Sequence, residues 1–183
     1  MKVRLVNPIG KLAHYKTDRY WENRDAGKHI HSGYAEYPEG TEPQEKLECV
    51  CEDCGQKFEG VRSSWNITKW DTQDGKLHVG DMYWADCLKE KDGKCYYWDN
   101  CTGKHLIIRV PDGNREEGHP WNIDSRASNC TMKDDRTHRC WVRHGEPPNI
   151  HVDKNGHTCR AGAGSIQTDK WHGFLHNGEL TKC

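Results

Sequence analysis

The sequence has little of what fills a thick core. Phe occurs twice and Met three times in 183 residues, and hydrophobic residues make up 33% against 30% charged. That excludes a large layered interior, and it leaves a small domain in need of cross-links or metals. No apolar run approaches the roughly 18 residues of a membrane-crossing helix. The start, MKVRLVNPIGKL, has neither a long apolar stretch nor a small-residue cleavage site, so no signal peptide is expected. An excess of one charge is missing too: 27 basic residues face 28 acidic ones, for a net charge of −1. Attachment to nucleic acid or membrane by bulk charge is therefore not expected, although a local basic patch survives the test. Convincing helical periodicity is scarce.

What is abundant points elsewhere. The chain holds 10 Cys, 12 His, 8 Trp and 7 Tyr. Large rings with polar handles suit thin β layers better than helical bundles. Without a secretion signal, closely spaced cysteines read as thiolate ligands rather than disulfides, and imidazole is the other common zinc ligand. The expected fold is mainly β: small zinc-stabilised, hairpin-rich units with little helix, holding one or two zinc ions.

Taken in order, Val3, Leu5 and Ile9 alternate as a short edge strand ended by Pro8 and Gly10. Residues 11–47 read as a polar, irregular segment. Within it His29 and His31 flank Ile30 and share a face, either as a metal-binding pair or, the preferred reading, as two solvated histidines beside a turn. Cys51-x-x-Cys54-Gly55 followed by an aromatic is a zinc-knuckle half-site, with Gly55 permitting the tight turn. Cys87 is the first choice to complete it, Cys101 and Cys95 compete for the last place, and Cys49 is a ligand, a reserve or a bystander. Strands and hairpins are expected from 62 to 110, with turns at Asp74-Gly75 and Asp92-Gly93. HLIIRV (105–110) reads as the central strand, and 111–114 as the turn after it. Asn155-Gly156 and Asn177-Gly178 mark later hairpins. A faint echo between the stretches following Asn66-Ile67 and Asn149-Ile150 suggests an internal duplication. The division expected is 1–48, 49–110 and 111–183, or one continuous domain.

Residues 121–148 concentrate the reactive side chains: WNIDSRASNCTMKDDRTHRCWVRHGEPP. The stretch has almost no apolar period, so a metal is the expected means of ordering it. Cys130, His138, Cys140 and Cys159 form the second candidate metal set, with His144 or His157 as substitutes. The alternative is that Cys130 and Cys140 are small buried hydrophobes. Asp124 and His144 are candidate bases, Arg126 and Arg143 a clamp for phosphate or carboxylate, and His172 a closing residue. Equally, Asp124 and Arg126 form an ion pair that fixes the loop. Ser125 and Asn129 would add polar contacts. RAGAGSI (160–166), with Gly162, Gly164 and Ser165, offers backbone amides to an anion or simply turns tightly; it lacks the Lys of a P-loop. Aromatics interleave with basic residues at Arg62, Trp65, Lys69 and Trp70, and again at Arg139, Trp141 and Arg143. Base stacking there is possible but not favoured over a solvated face.

The stretches YYWDNCTGKHL, WNIDSRASNCT, HRCWVRHGEPP, TCRAGAGSI and WHGFLHNGEL resemble small proteins of unknown function encoded by bacteriophages of actinobacteria. The C-terminal pattern is also similar to a wider metal-binding domain of unknown function, found in phages and beside bacterial ubiquitin-like operons. The resemblance spans about residues 49–180, and where the wider pattern has paired cysteines before HLIIRV, only Cys101 stands. It implies an intracellular phage product. The expected function is a zinc-binding module that meets a host or phage protein in the host cytoplasm. The alternatives are a metal-dependent hydrolase or transferase centred on Asp124, Arg126, His144 and His172, and a virion-associated structural protein.

Overall fold

The computed structural model describes residues 1–23, 27–38, 40–86, 103–113, 115–154 and 164–183, with 18–23, 153 and 154 as backbone alone. Among them every regular element is a strand, as the composition led one to expect. In chain order these are β1 (Arg4–Leu5), β2 (Pro8–Asn23), β3 (Gly27–Pro38), β4 (Lys46–Val50), β5 (Lys57–Trp70), β6 (Asp81–Asp86), β7 (Lys104–Val110), β8 (His119–Asn122), β9 (Trp141–His144), β10 (His151–Lys154), β11 (Ile166–Gln167), β12 (His172–His176) and β13 (Glu179–Lys182). No helix of the described residues is long and apolar enough to cross a membrane.

The chain forms two compact units, and one is inserted into the other: Pro8–Lys76 interrupts a parent unit made of Met1–Asn7 and Leu77–Cys183. The insertion leaves and returns side by side, with Pro8 opposite Trp70. This division differs from the one suggested by composition. Residue 48 lies inside β4, which pairs with β5, and residue 110 ends β7, which pairs with β8.

The inserted unit is one antiparallel sheet in the order β3-β2-β5-β4. Its first hairpin is built from residues expected to be irregular. The alternation is there, but Ala13, Tyr15, Ala35 and Tyr37 carry it instead of Val or Ile, so a search for aliphatic periodicity passes over it. Pro8 and Gly10 do not end a strand; they open β2, where the register with β5 shifts. The core gathers Ala13, Tyr15, Tyr37, Cys49, Cys51 and Phe58. Inside it the Tyr15 hydroxyl lies 2.8 Å from that of Tyr37 and donates to the Gln44 carbonyl at 2.8 Å. Trp65 packs against this core and Trp70 is buried, so two of the rings interleaved with basic residues turn inward.

The parent unit holds a sheet ordered β1-β6-β7-β8, a β10-β9 pair and a three-stranded β11-β12-β13 sheet. HLIIRV lies in β7, flanked by β6 and β8, which is the central position expected of the most apolar run. β1 runs parallel to β6, and Arg4 forms an ion pair with the buried carboxylate of its register partner, Asp81. The core joins Met82, Leu106, Ile108 and Val110 to Ile123, Ile150, Ile166, Trp171, Leu175 and Leu180. Asn177 and Gly178, at φ 48° and 73°, turn β12 into β13 as the Asn-Gly signal required. Gly75 and Gly113 also take positive φ in their expected turns, but the turn at Asp74-Gly75 leads to no strand paired with β5. The turns at Asp92-Gly93 and Asn155-Gly156 lie outside the described residues. The internal duplication is not shown: the first half of the echo runs from β5 in one unit to β6 in the other.

Candidate metal centres

Among the described residues each unit carries one cluster of side chains that could ligate a metal. In the inserted unit the strand period places His29 and His31 on one face of β3, their rings 5.1 Å apart. Cys51 and Cys54 come from the turn after β4. The amide of Gly55 donates to Cys51 O at 2.8 Å, that of Cys51 to Gln56 O at 2.9 Å, and Gly55 takes φ 73°. The amide of Glu52 donates to Ser32 O at 3.0 Å and so ties this turn to β3 just after His31.

One ligand atom from each of His29, His31, Cys51 and Cys54 lies within 4.8 Å of the others, and these four residues could hold a metal ion. The closest approaches are Cys51 Sγ to His29 Nε2 at 3.4 Å and Cys54 Sγ to His31 Nε2 at 3.6 Å. A tetrahedral zinc with usual Zn–S and Zn–N bonds sets such atoms about 3.5 Å apart. These two separations match the edges around that ion.

The surroundings prepare two of these groups, Cys51 and His31, for a cation. Burial pushes the Cys51 thiol up, but backbone hydrogen bonds at Ser32, Cys54 and Asp53, with His29, outweigh it and bring the pKa to about 7. Burial, followed by His29, lowers the pKa of His31 and favours the neutral ring that a metal needs. His29 Nδ1 lies 3.1 Å from the Gly27 carbonyl, the main cause of its raised pKa; with Nδ1 donating there, Nε2 is left to face the sulfur. Burial raises the Cys54 thiol, and the neighbouring Cys51 adds to it. The two histidines preferred as solvated thus stand beside the CxxC pair and could share an ion with it. Cys87, Cys101 and Cys95, the residues expected in that place, lie outside the described residues. Cys49 sits in the core opposite Phe58 and takes no part.

The second cluster lies on the expected loop and comprises Cys130, His138 and Cys140, which could also hold an ion. Of residues 124–140 these three alone are buried, at 2%, 7% and 0% exposure. Cys140 Sγ is 3.6 Å from His138 Nε2, again the edge of a zinc tetrahedron. Ala127, Met132 and Trp141 pack around the thiols. Short hydrogen bonds set the loop path. The amide of Cys140 donates to Ser125 O at 3.0 Å, that of Cys130 to Ala127 O at 3.1 Å, and that of His138 to Asp135 O at 3.1 Å. Asp135 also accepts from the Thr137 amide and hydroxyl, the hydroxyl bond being the chief reason its carboxyl sits below the usual range. Cys159 and the substitute His157 lie outside the described residues.

The remaining candidates are distributed rather than gathered at one mouth. Asp124, at φ 58°, accepts the Arg143 amide at 3.0 Å and pairs with the Arg143 guanidinium at 3.2 Å. The ion pair at this loop is thus with Arg143, not Arg126. Arg126 instead donates to the carbonyls of Met132 and Lys133, at 3.2 and 2.7 Å, and holds the loop closed. His144 ends β9 with its ring 6.2 Å from that of His151. His172 is exposed at the start of β12, opposite Gln167.

Ser125 donates to Asn122 O at 2.7 Å. Asn129 and Ser165 line a cavity of about 790 Å³ beside Trp121 and Trp141, and the Ser165 carbonyl accepts from Trp141 Nε1 at 3.3 Å. Gly164 is half-buried next to Ser165, and Gly162 lies outside the described residues. No family model, no curated protein and no solved structure matches this chain.

Proposed function

We propose that this protein is a zinc-stabilised binding module of phage type, acting in the host cytoplasm, whose loop 121–148 meets a host or phage protein. The observation that carries this reading is the loop itself: its only buried side chains between 124 and 140 are two thiols and an imidazole at ligand spacing. A loop that buries ligands and little else is ordered by what those ligands bind. The first cluster offers four protein ligands, the number that closes a structural zinc site. The loop also presents a surface suited to a partner. Trp121 and Trp141 meet edge to face at 5.4 Å and border cavities of about 790 and 550 Å³. Exposed Ser128 and Asn129 stand beside them, and half-exposed tryptophans with polar neighbours are common anchors of protein interfaces. Free thiols at Cys51, Cys54 and Cys130 accord with a reducing compartment. The phage assignment rests on the resemblance in sequence.

Metal content by mass spectrometry, on protein purified without chelator, tests the zinc part. Two ions per chain are expected, with Cys51→Ser and Cys130→Ser each losing one; a metal-free chain that is fully folded would sink the reading. The binding part predicts that Trp121→Ala abolishes capture of a host or phage protein while metal content stays the same. A second reading has one observation in its favour. The second cluster shows three ligands among the described residues, and an ion held by three with water as the fourth is of the catalytic kind. Cobalt substitution separates the two. If Cys159→Ser alters the cobalt spectrum, Cys159 closes the site; an unaltered spectrum that responds to added anions marks an open ion and an enzyme.

A further inference from the structure

Next to the second cluster, the loop and the β6–β7 hairpin wall a cavity of about 280 Å³. Its polar lining is Lys104, His105, Asp124, Thr137, Arg139 and Arg143, over an apolar wall of Trp84, Leu106, Ile123 and Val142. Three cationic side chains thus meet one carboxylate, and that carboxylate is already paired with Arg143.

Arg143 is held in place from two sides. Its guanidinium stacks 4.9 Å over the Trp84 ring, and Nε lies 3.2 Å from Asp124 Oδ2. Its Nη1 is buried and has no hydrogen-bond partner. A buried cationic donor without an acceptor is unfavourable, and an anionic oxygen is its strongest complement. Arg139 is fixed as well, its Nη1 donating to the Arg136 and His138 carbonyls at 3.0 and 2.8 Å. Lys104, exposed at the start of β7, supplies a third positive charge to the lining. With Asp124 counted, the lining carries an excess of two positive charges, which matches a phosphate dianion better than a carboxylate.

We propose that this cavity binds a small phosphomonoester, with its phosphate between Arg143 Nη1, Arg139 and Lys104 and its organic group against Leu106 and Val142. The proposal rests on the zinc reading, because Arg139 lies between His138 and Cys140 and is positioned only when the loop is ordered.

The test is titration of the full-length, metal-loaded protein with phenyl phosphate, inorganic phosphate and benzoate, followed by calorimetry and Trp fluorescence. Zinc content is measured on the same sample. Phenyl phosphate is expected to bind saturably, and benzoate and inorganic phosphate each about tenfold more weakly. Lys104→Gln, at an exposed position, should weaken phenyl phosphate about tenfold with the circular dichroism spectrum intact. Arg143→Lys should do so at least as strongly, since it keeps the charge and loses the fork. The proposal is overturned by a metal-loaded sample without saturable binding, by equal affinity for benzoate or inorganic phosphate, or by an indifferent Lys104→Gln. If instead a sample without zinc binds phenyl phosphate with the same residue dependence, the pocket stands and the zinc reading falls.

Discussion

Cys49 and Cys51 are two residues apart and do opposite things. Cys49 faces the core opposite Phe58, where burial raises its thiol; Cys51 leaves the strand for the turn that follows, where hydrogen bonds bring its thiol to about 7. Cys49→Ala should keep the full metal content and cost roughly 1 kcal/mol, the scale of a small side chain lost from a core. Cys51→Ser should lose one ion and far more stability, as mass spectrometry and thermal unfolding will show. Tyr15 offers a test without metal. Burial, with Tyr37 next in weight, raises its phenol above the ordinary 10.0. Below that value both folded and unfolded chains keep the proton, so nothing changes. As pH rises through and beyond it, the unfolded chain releases its proton first and the folded state loses stability. Urea unfolding across alkaline pH should therefore show a steeper decline in the wild type than in Tyr15→Phe. At neutral pH the variant should be weaker by roughly 1 kcal/mol for each hydrogen bond lost.

At the scale of elements, the β12–β13 hairpin and the ligand loop are ordered by different means. Gly173 sits where a Cβ would run into the Trp171 ring and the Thr181 carbonyl, backbone that cannot yield easily. Gly173→Ala should cost about 1–3 kcal/mol by overpacking. Gly178→Ala at φ 73° should cost about 1–2 kcal/mol from backbone conformation. Thermal unfolding of the two variants measures both. Loop 124–140 has no comparable packing. Removing metal should make trypsin cut after Lys133 and Arg136, bonds expected to resist in the loaded protein. Cleavage that is indifferent to chelator would mean that hydrogen bonds and the buried thiols suffice. The hairpin was legible because Asn-Gly has a local conformational preference. The β2–β3 hairpin was not, because Ala and Tyr fill its inward positions and neither stands out against a polar background.

For the whole molecule, insertion gives each unit its own core and its own cluster. Among the described residues the inserted core has six buried residues, two of them cysteines, whereas the parent core has twelve, mostly aliphatic. An ion held at its cluster would therefore matter more to the smaller core. In hydrogen exchange, Cys51→Ser should strip protection from β2 and β3 while the amides of β7 keep theirs. The sequence by itself determined the β class, the central place of HLIIRV, the Asn177-Gly178 turn, the CxxC pair and the triad on the 121–148 loop. Those signals are local: a period, a turn dipeptide, or ligands within about ten residues of one another. Only the tertiary structure decided that His29 and His31 meet Cys51 and Cys54, that Arg143 rather than Arg126 pairs with Asp124, and that residues 8–76 interrupt another unit. Each of these joins residues separated along the chain through the way strands and turns pack on one another, which no short stretch encodes.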